Sequence, residues 1–228
     1  MNHCVDVPLF PLPVVLFPGC RMPLQIFEPR YIDLVKSSLS TGAPFGIVTL
    51  SGDPAQQVVQ KNSTDTAPSA APEFLPIGTL ATIVDFDQRA NGLLGIVVEG
   101  VSCIRVESSR VADNHLVVGS AEPYPCPVVG EAAQRFNAEQ ASVPVPDDYA
   151  ELVDVFLSLV AHPYVAQLGY AHEPDADYWR ADAERLGCHL AYLLPSTIED
   201  RYALLCESDV MSRLARIESQ LATLSDEP

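Results

Sequence analysis

The residues that most invite a catalytic interpretation are an adjacent cysteine and histidine, Cys188 and His189. A thiol beside an imidazole is the pair that cysteine hydrolases use as nucleophile and base. Both residues fall in a stretch with helical apolar spacing, and successive residues on a helix point about 100° apart. The two side chains therefore diverge, and we interpret Cys188 as a residue on the helix face near the core.

No other motif in the sequence supplies a recognised reaction centre. The chain lacks a phosphate-binding GxxxxGK(S/T) loop, a dinucleotide-binding GxGxxG motif, an HExxH helix and a GxSxG nucleophile elbow. Its two lysines, Lys36 and Lys61, fall in a predicted helix and a predicted loop, which disfavours a serine–lysine dyad. The histidines are scattered and no CxxC pair occurs. We predict no catalytic residue, no cofactor and no metal.

The composition indicates a folded protein that avoids polyanions. Hydrophobic residues make up 48% of the 228 positions and charged residues 19%, as in globular chains. The formal net charge of −17 disfavours binding to nucleic acid or to an anionic membrane. No apolar stretch approaches the roughly 20 residues of a membrane helix, and no secretory signal is recognisable. We therefore expect a cytoplasmic protein whose six cysteines are reduced and mostly buried.

The first half of the sequence is rich in strand signals. Short apolar runs are bounded by proline, glycine and asparagine–glycine turns. The runs cover residues 5–10, 14–17, 22–27, 45–50, 77–85, 93–98, 101–106 and 115–121. Pro29 predicts the start of an intervening helix that ends at Gly42. Short strands at this spacing predict a closed or nearly closed barrel.

Residues 51–73 interrupt the strand pattern. The segment is poor in large apolar residues, so we predict a mobile loop between two strands of the barrel. A functional lid is the alternative interpretation of this loop.

The second half of the sequence has helical apolar spacing. Asp148 with Glu151, and Ser196 with Glu199, have the spacing of a capping box and predict two helix starts. Between these pairs, an apolar stripe over residues 179–193 predicts one continuous helix. The chain therefore divides into a β-rich half and a helical half.

Several strings spread over nearly the whole chain resemble one known family. They are PLFPLPVVLFPG at 8–19, PLQIFEPRY at 23–31, IGTLA at 77–81, LAYLLP at 190–195 and LLCESDV at 204–210. Together they resemble the N-terminal, substrate-contacting domain of the Lon protease family. The resemblance implies an α+β fold: a PUA-like β-barrel over residues 1–125, followed by a helical bundle over residues 126–228. It also implies a non-catalytic module, because the ATPase and serine–lysine protease parts of full-length Lon are not present in this sequence.

The function that the resemblance implies is binding of unfolded or exposed polypeptide, or action as an adaptor. Phe17, Arg30 and Tyr31 are the candidate polypeptide-binding residues. The alternative role of Arg30 and Tyr31 is structural, with Arg30 pairing with an acid of the barrel and Tyr31 anchoring the helix on the sheet. For Phe17 the alternative is an ordinary place in the core.

Three other functions stay open at this point. A PUA-like barrel suggests nucleic-acid binding, against which the net charge argues. An uncharacterised hydrolase would need a pocket with a converging nucleophile, base and oxyanion donors. Self-association is the third, because residues 214–224 form an apolar stripe, although one too short for a coiled coil.

Overall fold

The computed structural model describes residues 4–52, 72–88, 94–125, 142–165 and 175–225. The predicted loop of residues 51–73, apart from its two ends, lies outside these ranges. The strands within them are β1 (Val5–Leu12), β2 (Arg21–Ile26), β3 (Phe45–Leu50), β4 (Phe74–Gln88), β5 (Leu94–Val111) and β6 (Val117–Pro123). The helices are α1 (Pro29–Thr41), α2 (Ala150–Val160), α3 (Pro163–Val165), α4 (Ala176–Arg180), α5 (Ala183–Leu193), α6 (Ile198–Cys206) and α7 (Val210–Ser225).

The strands form one mixed sheet that closes on itself. Its order is β2-β5-β4-β3-β1-β6, and β5 also pairs with β6. β1 and β3 run parallel, whereas the remaining pairs are antiparallel. β5, β4, β3, β1 and β6 thus form a closed ring, and β2 lies beside the first part of β5. The expected α+β fold, with a β-barrel followed by helices, is confirmed.

The long strand β5 makes this closure possible. It has 18 residues, of which 94–99 pair with β2 and 104–111 pair with β6. The prediction of two separate strands, 93–98 and 101–106, is wrong. Residue 100 continues the strand because a glycine there leaves room for the chain that crosses it.

Gly100 is required by a close approach of the segment between β1 and β2. A Cβ at this position would lie 2.3 Å from the carbonyl oxygen of Phe17. The backbone N–H of Gly19 donates to the carbonyl of Gly100 at 2.8 Å, and the N–H of Gly100 donates to Cys20 at 3.0 Å. The crossing segment is therefore fixed to the strand by its backbone.

Helix α1 has the ends that the sequence predicts. Pro29 is its first residue, and Gly42 ends it in the left-handed conformation with φ 70°. The buried face of the helix includes Tyr31, Leu34 and Val35, which pack on the barrel core. Local signals were sufficient for this helix because proline and glycine restrict the backbone directly.

The predicted continuous helix over residues 179–193 is wrong. Two helices occupy this stretch, with α4 ending at Arg180 and α5 beginning at Ala183. Between them Asp182 is extended, and its carboxylate accepts a hydrogen bond from the Arg185 backbone N–H at 3.1 Å. The aspartate thus caps a new helix start, which an apolar stripe alone does not reveal.

Both predicted capping boxes are misplaced. The residue that precedes α2 is Tyr149, which makes no side-chain cap, so the cap predicted from Asp148 is wrong. The cap of α6 is Thr197 rather than Ser196, and its hydroxyl accepts from the Asp200 N–H at 3.1 Å. Across the described helices, none combines the length and apolar character needed to cross a bilayer.

The barrel and the helices share one apolar core. A single cluster of buried residues contains side chains from both halves. The Cys20 thiol lies 3.6 Å from the carbonyl oxygen of Cys188 on α5, and the Ile77 N–H of β4 donates to the Tyr202 hydroxyl of α6 at 2.9 Å. A domain boundary near residue 125 stays a prediction.

Arg213 is a fully buried charge that joins three helices. Its Nη1 lies 2.5 Å from the Glu184 carboxylate of α5, and its Nε donates to the Leu204 carbonyl of α6 at 3.1 Å. Its Nη2 donates to the carbonyl of Glu207, just after α6. The Arg213 guanidinium on α7 therefore donates hydrogen bonds to the carbonyl groups at the end of α6.

The cysteines depart in part from the expectation of reduced, mostly buried thiols. Cys103 is disulfide-bonded, so the expectation is wrong at this position. The other described cysteines form no disulfide: Cys20 and Cys188 are buried, Cys206 is half-buried and Cys4 is exposed.

Candidate functional site

Phe17 lies in the core of the protein. Its side chain is 0% exposed, in the cluster that joins the barrel to the helices. The ring therefore contributes no accessible surface to a partner in this conformation.

Tyr31 anchors α1 on the barrel. Its ring stacks on Phe10 of β1, with a centroid distance of 3.9 Å and an interplanar angle of 13°. Burial raises the pKa of the Tyr31 hydroxyl, the neighbouring Arg30 lowers it and Glu28 raises it. The expected anchoring role of Tyr31 agrees with this geometry.

Arg30 fastens the start of α1 to the turn between β5 and β6. Its Nη1 donates to the carbonyl of His115 at 3.1 Å, where His115 has the left-handed φ of 63°. Its Nη2 lies 2.7 Å from the Glu28 carboxylate, and its guanidinium lies 4.7 Å from the Tyr31 ring centroid. The partner is thus a neighbour in the sequence rather than an acid of the barrel. Arg30 is still 24% exposed at its side chain, and a contact with polypeptide stays a prediction.

Cys188 and His189 form no nucleophile pair. Burial raises the pKa of the Cys188 thiol to about 12. Burial also lowers the pKa of His189 to about 4, although its Nδ1 lies 2.8 Å from the Arg185 carbonyl, which opposes that shift. The ring packs edge-on against Trp179 at 5.0 Å. At neutral pH the thiol is protonated and the imidazole is uncharged, so both residues serve the core.

The described parts of the chain offer little support for a metal site. Within those parts no three His, Cys, Asp or Glu side chains are grouped closely enough to hold an ion.

Three exposed apolar side chains lie in β4 or directly after β2. Phe27 is 67% exposed, Phe86 is 62% exposed and Val84 is 43% exposed. We name these three residues the distal apolar surface. Ile77 of the same strand contacts α6, and Phe86 follows nine residues later, about 30 Å along an extended strand.

The strand register brings these side chains to one end of a three-stranded ladder. Phe86 of β4 is opposite Ile96 of β5, which is opposite Leu24 of β2. Phe27 directly follows Ile26, the last residue of β2. Neighbouring strands are about 4.8 Å apart, so β2 and β4 are separated by about 10 Å across β5. One polypeptide segment of a few residues spans this distance.

The ladder is continuous with the core of the barrel. Leu24, Ile83 and Leu94 are half-buried and pack against the main apolar cluster. Val84 and Phe86 therefore lie in a strand that packs on the core, and Phe27 lies in the short connection between β2 and α1.

The acidic residues of the ladder alternate with its apolar ones. Asp85 and Asp87 flank Phe86 and are exposed, and successive strand residues point to opposite faces. The Asp85 carboxylate accepts the backbone N–H of Phe86 at 2.9 Å. At the other end of the ladder, Arg21 lies 2.8 Å from the Glu99 carboxylate.

The sequence interpretation did not identify the distal apolar surface. Phe27 was assigned to the end of a strand, and the predicted strand 77–85 stopped before Phe86. An aromatic residue between two aspartates, in a strand with alternating pattern, is typical of an aromatic side chain that faces the core. The exposure itself depends on what packs nearby, which no local pattern states.

Comparisons with known proteins agree on one family. Residues 6–223 match the family described as the ATP-dependent protease La (LON) substrate-binding domain. A solved structure of a Lon N-terminal domain protein from Xanthomonas campestris is 29% identical, with a TM-score of 0.62 over 98% of this chain and 99% of that one.

A second solved structure shows the same fold at lower identity. The N-terminal domain of the Mycobacterium avium complex Lon protease is 16% identical, with a TM-score of 0.59 over 98% of this chain and 100% of that one. A comparison with curated proteins returned no match. Since the family match covers nearly the whole chain, the protein belongs to the Lon substrate-binding domain family.

Proposed function

We propose that this protein is a non-catalytic module that binds unfolded or exposed polypeptide through the distal apolar surface. The observation that carries the proposal is the exposure of Phe27 and Phe86, each about two-thirds exposed, in a member of a substrate-binding family. Large exposed apolar side chains often mark sites at which a protein contacts its partners. The bound polypeptide is either a substrate or a client passed to a second protein, as an adaptor does.

Aromatic side chains in this position suit the proposed function. Each ring offers a large contact area, and its few rotatable bonds limit the entropy lost on binding. A surface without deep pockets also accepts many sequences, which recognition of unfolded protein requires.

Arg30, Tyr31 and Phe17 enter the proposal in different ways. Arg30 lies three residues after Phe27 and is partly exposed, so we propose that it contacts the partner at the margin of the distal apolar surface. Tyr31 and Phe17 are buried and support the fold that presents the surface. A cytoplasmic location and a working partnership with a full-length Lon protease stay predictions.

Nucleic-acid binding receives less support than polypeptide binding. The net charge of −17 opposes contact with phosphates. The exposed residues beside Phe86 on β4 are acidic, not basic.

Removal of the two exposed rings tests the proposed function. We expect the double variant Phe27→Ser/Phe86→Ser to bind a fluorescently labelled, reduced and carbamidomethylated protein at least about tenfold more weakly than the wild type. Binding is measured by fluorescence anisotropy. The free energy of unfolding should change by less than about 0.5 kcal/mol per substitution, because both side chains are exposed.

The matched control removes two exposed leucines from other surfaces. Leu39 on α1 and Leu224 on α7 are exposed apolar residues outside the ladder. The double variant Leu39→Ser/Leu224→Ser should retain wild-type affinity. Equal loss in both variants, or loss in neither, would contradict the assignment of binding to the distal apolar surface.

A further inference from the structure

We propose that the polypeptide binds as an added β-strand along the outer edge of β4, with apolar and basic side chains alternating along it. The outer edge is the backbone of residues 82–88 on the side away from β5. This inference rests on the proposed function and specifies how the partner is recognised at the β4 part of the distal apolar surface, Val84 and Phe86.

The backbone of the outer edge lacks a strand partner among the described residues. β4 pairs with β3 only as far as Ala81, which is opposite Phe45. Its pairing with β5 continues to Gln88, opposite Leu94. Among the strands that the structure describes, residues 82–88 therefore have a neighbour on one side only. Unpaired N–H and C=O groups along such an edge are the template on which an extended peptide adds a strand.

The outer edge is accessible on both faces of the ladder. The four consecutive residues Val84, Asp85, Phe86 and Asp87 are all exposed. Because successive residues of a strand point to opposite faces, four exposed in a row leave both faces open. A bulge between Ile83 and Asp85 bends the strand at the start of this stretch.

The side chains of the outer edge define what an added strand must carry. Phe86 lies on one face, and Asp85 and Asp87 lie on the other. Side chains directly opposite each other on paired strands share a face and lie about 5 Å apart. An added strand therefore places apolar residues beside Phe86 and the residues between them beside the aspartates. Lysine or arginine at those positions gains an opposite charge, whereas aspartate or glutamate is repelled.

The negative charge of the outer edge is not neutralised by the described residues around it. Asp85 and Asp87 take part in none of the ion pairs of the described chain. The nearest described arginine of the ladder, Arg21, is paired with Glu99. The net charge of −17 attracts a cationic segment from a distance as well.

Five synthetic peptides of nine residues test the alternation, the charge and the backbone contact separately. The first alternates valine and lysine, and the second has the same composition with the two residue types in separate blocks. The third alternates valine and glutamate. The fourth and fifth are the first peptide with N-methyl groups on every second amide, one for each of the two possible registers. Each carries the same fluorophore, and its affinity is measured by fluorescence anisotropy at low and at high salt.

The alternating valine–lysine peptide should bind at least about tenfold more tightly than the valine–glutamate peptide. It should also bind more tightly than the peptide with valine and lysine in separate blocks. N-methylation in one register should abolish binding, because it removes the backbone N–H donors of the added strand. High salt should reduce the preference for lysine over glutamate.

Two double variants locate the effect. The variant Asp85→Asn/Asp87→Asn should bind the valine–lysine peptide about three- to tenfold more weakly, since each exposed pair contributes modestly. The variant Asp147→Asn/Asp148→Asn removes the same charge from exposed positions elsewhere and should bind as the wild type does. Both variants should unfold at the wild-type urea midpoint.

The possible outcomes separate this inference from the proposed function. Equal affinity for the lysine and glutamate peptides, or binding that survives N-methylation in both registers, overturns strand addition and leaves binding at the distal apolar surface in place. If the Asp147→Asn/Asp148→Asn variant loses as much peptide affinity as the Asp85→Asn/Asp87→Asn variant, the placement on β4 is overturned. If neither the peptides nor the unfolded protein binds, both the inference and the proposed function are wrong.

Discussion

At the scale of single residues, two arginines form hydrogen bonds with backbone carbonyls of other segments. Arg30 bonds the carbonyl of His115, and Arg213 bonds the carbonyls of Leu204 and Glu207. Neither role is evident in the sequence, because each needs a partner that only the fold supplies. For Arg30 the expected partner was an acid of the barrel, whereas the observed partners are the His115 carbonyl and the Glu28 carboxylate.

Arg213 yields a prediction about stability. Arg213→Ala leaves the Glu184 carboxylate and two carbonyls without their partner, so we expect a loss of about 3–5 kcal/mol in the free energy of unfolding. Urea denaturation followed by circular dichroism measures the change. Arg216→Ala, on an exposed face of the same helix, is the control and should cost less than about 0.5 kcal/mol. Similar losses in the two variants would show that the buried network is unimportant.

At the scale of elements, the sequence predicted well wherever the signal acts on the backbone itself. Pro29 and Gly42 bound α1 as predicted, and β3 was located at both ends. The sequence failed at the break between α4 and α5, since the apolar stripe continues across it and only the bond from Asp182 interrupts the helix. It failed again at Phe86, because an exposed aromatic residue and a buried one have the same local pattern.

The cap of α5 yields the prediction at this scale. Asp182→Ala removes the acceptor for the Arg185 N–H and should lower the free energy of unfolding by about 1 kcal/mol. Asp182→Ser supplies another capping oxygen and should recover most of that loss. Thermal or urea unfolding measures both variants. A serine variant as unstable as the alanine variant would assign the effect to the lost ion pair with Arg185 instead.

At the scale of the whole molecule, a buried imidazole links stability to pH where the helices meet the barrel. Burial holds the pKa of His189 at about 4, below the ordinary value of about 6.5. The folded state therefore takes up this proton less readily than the unfolded state does. The stabilisation is complete above pH 6.5 and is lost as the pH falls toward 4.

We expect His189 to lower the free energy of unfolding by about 2 kcal/mol as the pH falls from 7.5 to 5. His189→Gln should flatten that dependence, whereas His115→Asn, in the exposed turn, should leave it unchanged. The single tryptophan, Trp179, lies 5.0 Å from the imidazole and provides a fluorescence signal for the transition. A glutamine variant with the wild-type slope would place the titrating group elsewhere.

The long strand β5 also governs how the molecule bears mechanical force. It belongs to the barrel at one end and to the exposed ladder at the other, and it pairs with β4 from Leu94 to Arg105. If a polypeptide bound at the outer edge is pulled along β4, the force acts in shear on all the hydrogen bonds between β4 and β5 at once, so that they do not break one after another. A module that holds one end of a polypeptide while the other end is drawn away would therefore resist the pull with its whole barrel.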